Sequence, residues 1–272
     1  MLTRRLFAAV TASALPAMSQ NILQIPPPEP GQRIPYGSDP NQFGELRLPK
    51  GTAPHPVVIF IHGGYWRAAY DLTHAGHLCA AIAVAGYAVW SLEYRRVGQP
   101  GGGYPGTLED VRAAALHLST LAGLDLTRVV VAGHSAGGHL ALWLAAQKVI
   151  PLKGVAALAA VSDLRRGYEQ NLGAGAVADF LGCGPAKCSD RYAAASPSDM
   201  LPISVPQTLL HGTADDIVPF DLSQRFAKAS RNARLVALPG AGHFELIDPR
   251  SKEWPVVLEN IVAPLKPLAL AG

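Results

Sequence analysis

Short apolar runs separated by glycine- and proline-rich turns recur along this chain, and their spacing predicts alternating strands and helices. The runs at 57–61, 88–92, 129–132, 154–159, 208–210 and 234–238 are rich in Val, Ile and Leu. They are apolar at consecutive rather than alternate positions, as in parallel strands covered on both faces. A further strand is expected at 44–48. Between them, the Ala-rich stretch at 72–85 reads as a helix. Leu108, Val111, Ala115, Leu118 and Leu121 recur at helical spacing, and the Ala/Leu-rich sequence from Gly138 to Ala145 does the same. Helices near 221–230 and 251–265 complete the alternation. The stretch 163–202 breaks the period and predicts several short helices. No internal repeat is visible. The expected architecture is α/β, a mostly parallel central sheet with helices on both faces.

Composition agrees with a sheet buried on both sides: of 272 residues, 49% are hydrophobic and 16% charged. The length suits one large domain, expected at 41–267. A net charge of +3, with basic residues scattered rather than striped, argues against a nucleic-acid partner. Gly101-Gly102-Gly103 lacks the Lys-Ser/Thr of a phosphate loop and reads as a flexible connection. No histidines or cysteines stand at metal-ligand spacing, so no metal or cofactor is expected; His74 and His77 read as one helix face. Cys183 and Cys188 form either a disulfide or two reduced thiols, and Cys79 reads as a buried free thiol.

Residues 1–19 have their own pattern. Thr3-Arg4-Arg5-Leu6-Phe7 resembles a twin-arginine export signal, followed by an apolar stretch from Ala8 to Leu15 and small residues before a cut after about Ser19. The stretch is too short to span a bilayer, so no stable membrane insertion is expected after cleavage. The mature protein would then be periplasmic or secreted; with a merely basic tail it would be cytoplasmic. The proline-rich segment 20–40 reads as an extended lead-in.

The strongest chemical signal is Gly133-His134-Ser135-Ala136-Gly137, set between the strand at 129–132 and the following helix. This G-x-S-x-G pattern puts a serine on a sharp strand-to-helix turn with its hydroxyl exposed and its flanks kept small. A serine needs a base, and the base needs an acid to hold its tautomer. Both are available downstream, past the ends of later strands: Asp215-Asp216 after the strand near 208, and His243 after a glycine-rich turn. His62-Gly63-Gly64 follows the strand at 57–61, where glycines let backbone N–H groups turn inward toward an oxyanion.

These motifs, in this order, resemble the α/β-hydrolase superfamily, in particular its esterases and kynurenine formamidases (arylformamidases). His62-Gly63-Gly64-Tyr65-Trp66, with Glu93-Tyr94-Arg95-Arg96 and the Pro-Gly loop before Asp110, carries the closer likeness. The similarity runs from about Gly44 to Leu265. It implies an α/β-hydrolase fold with a partial lid at 163–202. It implies Ser135 as nucleophile, His243 as base and Asp215 rather than Asp216 as acid. Gly63, Gly64 and Ala136 would form the oxyanion hole. Tyr65, Trp66 and Tyr70 are either an aromatic wall for substrate or loop packing. Glu93, Tyr94 and Arg95 are expected in structural ion pairs, His139 in the packed interior, and His211 ordering the acid loop.

The expected activity is hydrolysis of small-molecule carboxylic esters or activated amides through an acyl-enzyme. The alternatives are a kynurenine-formamidase-like arylformamidase, a small serine aminopeptidase, and, from another class, a catalytically silent binding module on the same fold.

Overall fold

The structure is a computed structural model that describes residues 21–266; the expected export signal at 1–19 lies outside the described residues. Eight strands form one sheet: β1 (Gln32–Pro35), β2 (Phe43–Arg47), β3 (His55–Ile61), β4 (Ala88–Leu92), β5 (Leu124–His134), β6 (Gly154–Leu158), β7 (Gln207–Gly212) and β8 (Ala233–Leu238). Their order is β1-β2-β4-β3-β5-β6-β7-β8. β2 pairs antiparallel with β1 and β4, and every other pairing is parallel.

The helices are α1 (Gly76–Val84), α2 (Gly106–His117), α3 (Ala136–Gln147), α4 (Leu164–Glu169), α5 (Ala176–Leu181), α6 (Ser189–Ala195), α7 (Asp221–Ala229) and α8 (Trp254–Val262). They cover both faces, and β3 shows how its sequence is shared between them. Val57, Ile59 and Ile61 pack into a core with α2 and α3, whereas Val58 and Phe60 pack into a second core with α1 and α8. Successive side chains of a strand point to opposite faces, so an unbroken apolar run serves both cores at once. The stretch 163–202 folds into α4, α5, α6 and a short 3-10 turn.

Three boundaries differ from expectation. The segment 20–40 is not merely an extended lead-in, and the domain begins before residue 41: β1 is a strand of the sheet, and Ile22 is buried in the α1–α8 core. The first turn of the 72–85 helix is a 3-10 turn, Leu72–Ala75, with the Asp71 carboxylate accepting from Thr73 N. The helix carrying Leu108 ends at His117 in another 3-10 turn, leaving Leu121 outside it.

The registers place the chemistry. Ile61 pairs with Leu92 on one side and Gly133 on the other, so β3, β4 and β5 end side by side. His62-Gly63-Gly64, Glu93 and Ser135 therefore leave the same edge of the sheet.

Candidate active site

Ser135 is the single residue between β5 and α3, with φ 59° and ψ −120°. That left-handed backbone is unfavourable for a residue with a Cβ, and its neighbours hold it there. Its N–H donates to Leu158 O at 2.8 Å, and its C=O accepts from His139 N at 3.1 Å. Gly137 is required because a Cβ there would strike the Ile61 carbonyl oxygen. The Ser135 side chain does not cap α3, so the hydroxyl is not used to close the helix and the amide of Ala136 opens the first turn.

His243 lies in the loop after β8 and Asp215 in the loop after β7. The His243 Nδ1–H donates to Asp215 Oδ2 at 2.7 Å. Asp215 Oδ1 accepts from the N–H groups of Ile217 and Val218, and His211 Nε2 stands 3.3 Å from Oδ2. Burial pushes the Asp215 pKa up. Hydrogen bonds from His211 and His243, the His243 charge and the Val218 N–H outweigh it and hold the carboxyl well below the usual carboxylate range. Asp216 is exposed, so of the two adjacent acids only Asp215 meets His243. His211 is itself held by the Ser223 hydroxyl at Nδ1 and the Val218 carbonyl at Nε2.

His243 hangs against the residue before the serine. Its carbonyl accepts from His134 Nε2 at 3.0 Å, and the two rings lie 4.3 Å apart. The Ser135 hydroxyl and the His243 ring are not hydrogen-bonded to each other; such contacts often tighten only when substrate arrives. Behind His134 stands His74, whose Nε2 lies 2.9 Å from His134 Nδ1. Since His134 Nε2 faces a carbonyl it carries the hydrogen, and its Nδ1 accepts from His74. Burial lowers the pKa of both, His74 to about 3 and His134 well below its ordinary value. This histidine row was not legible in the sequence, where His74 looked like one side of a helix.

Gly63 and Gly64 follow β3. A Cβ on Gly63 would lie 3.0 Å from the Ser135 Cβ, which places this turn directly against the serine. The next residues carry positive φ: Gly64 at 103°, Tyr65 at 55° and Trp66 at 57°. Of the two expectations for the aromatic residues, Trp66 meets that of loop packing. It is fully buried, donates from Nε1 to His139 Nδ1 at 3.2 Å and stacks on Phe180 of α5, so it packs the loop and faces no substrate. Tyr65 is half-buried and its ring packs against Gly173; burial, then the charge of Asp215, raises its pKa. Tyr70 covers Gly64 and is otherwise exposed.

Cys183 and Cys188 are joined in a disulfide, and Cys79 is a buried free thiol. A cavity of about 740 Å³ opens beside His243, with Ile22, Asp216, Phe244, Glu245 and Arg250 in its lining.

Residues 45–229 match the BD-FAE family profile, well over half of the chain. The chain belongs to the BD-FAE family. The matched region includes the H-G-G turn, Glu93, Ser135 and Asp215. Among curated relatives, Esterase LipC of Mycobacterium tuberculosis is 27% identical over 245 residues, 80% of this chain and 60% of LipC. This BD-FAE chain thus spans less than two thirds of that relative. Kynurenine formamidase of Danio rerio is 31% identical over 113 residues, 40% of this chain and 36% of that protein. Among solved structures, a truncated carbohydrate esterase from gut microbiota superposes with a TM-score of 0.75 at 19% identity, covering 88% of this chain and 97% of that one. The fold is that of the α/β-hydrolases, and the proteins that this BD-FAE member resembles include esterases.

Proposed function

We propose that this BD-FAE protein hydrolyses small carboxylic esters with Ser135 as nucleophile, His243 as general base and acid, and Asp215 as the group that orients His243. The 2.7 Å contact between His243 and Asp215, suspended from the residue that precedes Ser135, is the observation that carries the reading. With Asp215 ionised and bonded at Nδ1, the His243 Nε2 lone pair is the one left to take a proton. Ser135 Oγ attacks the ester carbonyl as its proton passes to Nε2. The N–H groups of Gly63, Gly64 and Ala136 receive the developing oxyanion. Collapse expels the alcohol, protonated by His243, toward the cavity beside that ring. Water then enters and its oxygen bonds the acyl carbon as its proton passes to His243; the Ser135 Oγ–acyl bond breaks, Oγ takes that proton back, and the acid is released. The short helices of 163–202 roof the Tyr65 side of the cleft and act as a partial lid.

The test is turnover of short p-nitrophenyl esters by wild type and Ser135→Ala. The variant is expected to fold normally and to lose about six orders of magnitude in kcat. Comparable turnover by the two proteins would overturn the assignment.

A second reading is favoured by the H-G-G-Y-W segment and the similarity to kynurenine formamidase. In it the same residues cleave an N-formyl aromatic amine. N-formylkynurenine offered beside the esters decides between them: a Ser135-dependent preference for the formamide selects the second reading.

A further inference from the structure

We propose that Glu93 is a positioning residue, resting on the reading above, that aims the backbone N–H groups of Gly63 and Gly64 by clamping His62. Glu93 leaves the end of β4 beside the point where His62 leaves β3, so parallel pairing sets them side by side although 31 residues separate them in sequence. Its side chain is almost fully buried. Oε1 accepts from His62 Nε2 at 3.1 Å and Tyr94 N at 2.9 Å, and stands 3.4 Å from Arg96 Nε. Oε2 accepts from Leu72 N at 3.0 Å.

His62, also fully buried, passes this constraint on. Its Nδ1 also faces an acceptor, the Gly63 carbonyl at 2.8 Å, so the ring carries both hydrogens beside the Glu93 carboxylate and spans the space between it and the turn. A trans peptide is planar, with its N–H directed opposite to its C=O. Holding the Gly63 carbonyl therefore fixes the direction of the Gly64 N–H. The neighbouring unit is held in the same way. Tyr94 stacks on the His62 ring at 4.4 Å and donates its hydroxyl to the His62 carbonyl at 2.9 Å, which fixes the Gly63 N–H. Both proposed oxyanion donors thus belong to peptide units whose carbonyls are pinned from behind, and Glu93 anchors the ring on which both pins converge. Arg96 extends the bracing: it donates to the Tyr70 carbonyl and to Asn41 Oδ1, and Tyr70 covers Gly64.

A wholly structural role would lower stability alone. Positioning predicts a selective loss in the step where negative charge appears. The experiment compares wild type, Glu93→Gln and Tyr94→Phe by kcat, KM, melting temperature and inhibition by a trifluoromethyl ketone, which forms a tetrahedral adduct at the serine. Glu93→Gln is expected to lower kcat by about 10- to 100-fold, less than the roughly 10²- to 10³-fold loss of an oxyanion donor itself. KM should stay within about threefold, and ketone affinity should fall in parallel with kcat/KM. Tyr94→Phe should move the same quantities in the same direction without removing a charge. His62→Gln and the double variant Glu93→Gln/His62→Gln complete the set; the double loss should be clearly smaller than the product of the two single losses, because Glu93 acts on the turn through His62.

Unchanged kcat and ketone affinity in Glu93→Gln and Tyr94→Phe would overturn the inference, as would strictly additive losses in the double variant. Labelling of wild-type Ser135 by a fluorophosphonate separates the two levels. Wild type that labels while the variants keep full turnover sinks the role of Glu93 alone; wild type that does not label removes the serine mechanism itself.

Discussion

Ser135 illustrates how single residues in this protein are held in place by atoms far from them in sequence. Its strained backbone, a conformation that costs about 1–3 kcal/mol, is balanced by bonds to Leu158 and His139 and by the close approach of Gly137 to β3. The histidines around it have a measurable signature. Burial lowers His74 to about 3, His139 to about 4 and His134 well below its ordinary value. An unfolded chain binds protons at these positions below about pH 6.5, while the folded chain does not, so stability falls as pH drops from about 6.5 toward 4. Asp215 acts in a separate window: its depressed pKa contributes stability that is fully present above about pH 3.9 and lost below it. Melting followed from pH 7 to 4 should show a declining midpoint linked to uptake of about three protons on unfolding. A flat profile over that range would mean that the three histidines protonate in the folded state. Ser135, Asp215 and His243 could be picked out as residues because each sits in a short motif. His74 could not, and Glu93 was legible only as a motif residue expected in an ion pair, which it forms with Arg96; its contacts with His62 and Leu72 cross strand exits and leave no local pattern.

Among the elements, the interior strands could be read from their β-branched runs because burial on both faces leaves no room for polar positions. β1 could not. Its sequence Gln-Arg-Ile-Pro has one large apolar residue, and as an edge strand it needs no more. Yet the segment is well anchored: Ile22 is buried in the same core as Ala75 and Leu246, the Tyr36 hydroxyl donates to the Glu93 carbonyl at 2.6 Å, and Arg33 lies over the Phe43 ring. A chain starting at residue 41, the boundary suggested by composition, should therefore be less stable than one starting at 21. The expected difference is about 1–3 kcal/mol from loss of the buried Ile22 and the β1 pairing. Urea unfolding of the two proteins measures it, and equal midpoints would show that the lead-in contributes nothing.

For the whole molecule, we infer export through the twin-arginine pattern at Arg4 and Arg5, an inference supported by the Cys183–Cys188 disulfide, since such bonds persist in oxidising compartments. Fractionation of cells making the full chain should find wild type outside the cytoplasm and Arg4→Lys/Arg5→Lys retained within it. Equal distribution of both would reject export by that route. The docking of the lead-in also gives the molecule a front and a back for anyone handling it. Asn21 and Ile22 stand at the rim of the cavity beside His243, whereas Pro264 packs near Gly154, the residue that starts β6 at the opposite end of the sheet. An affinity tag, fluorophore or immobilising surface joined at Asn21 would crowd that cavity. The same attachment made at Lys266 would leave that cavity open, which makes that side the one by which this protein should be held.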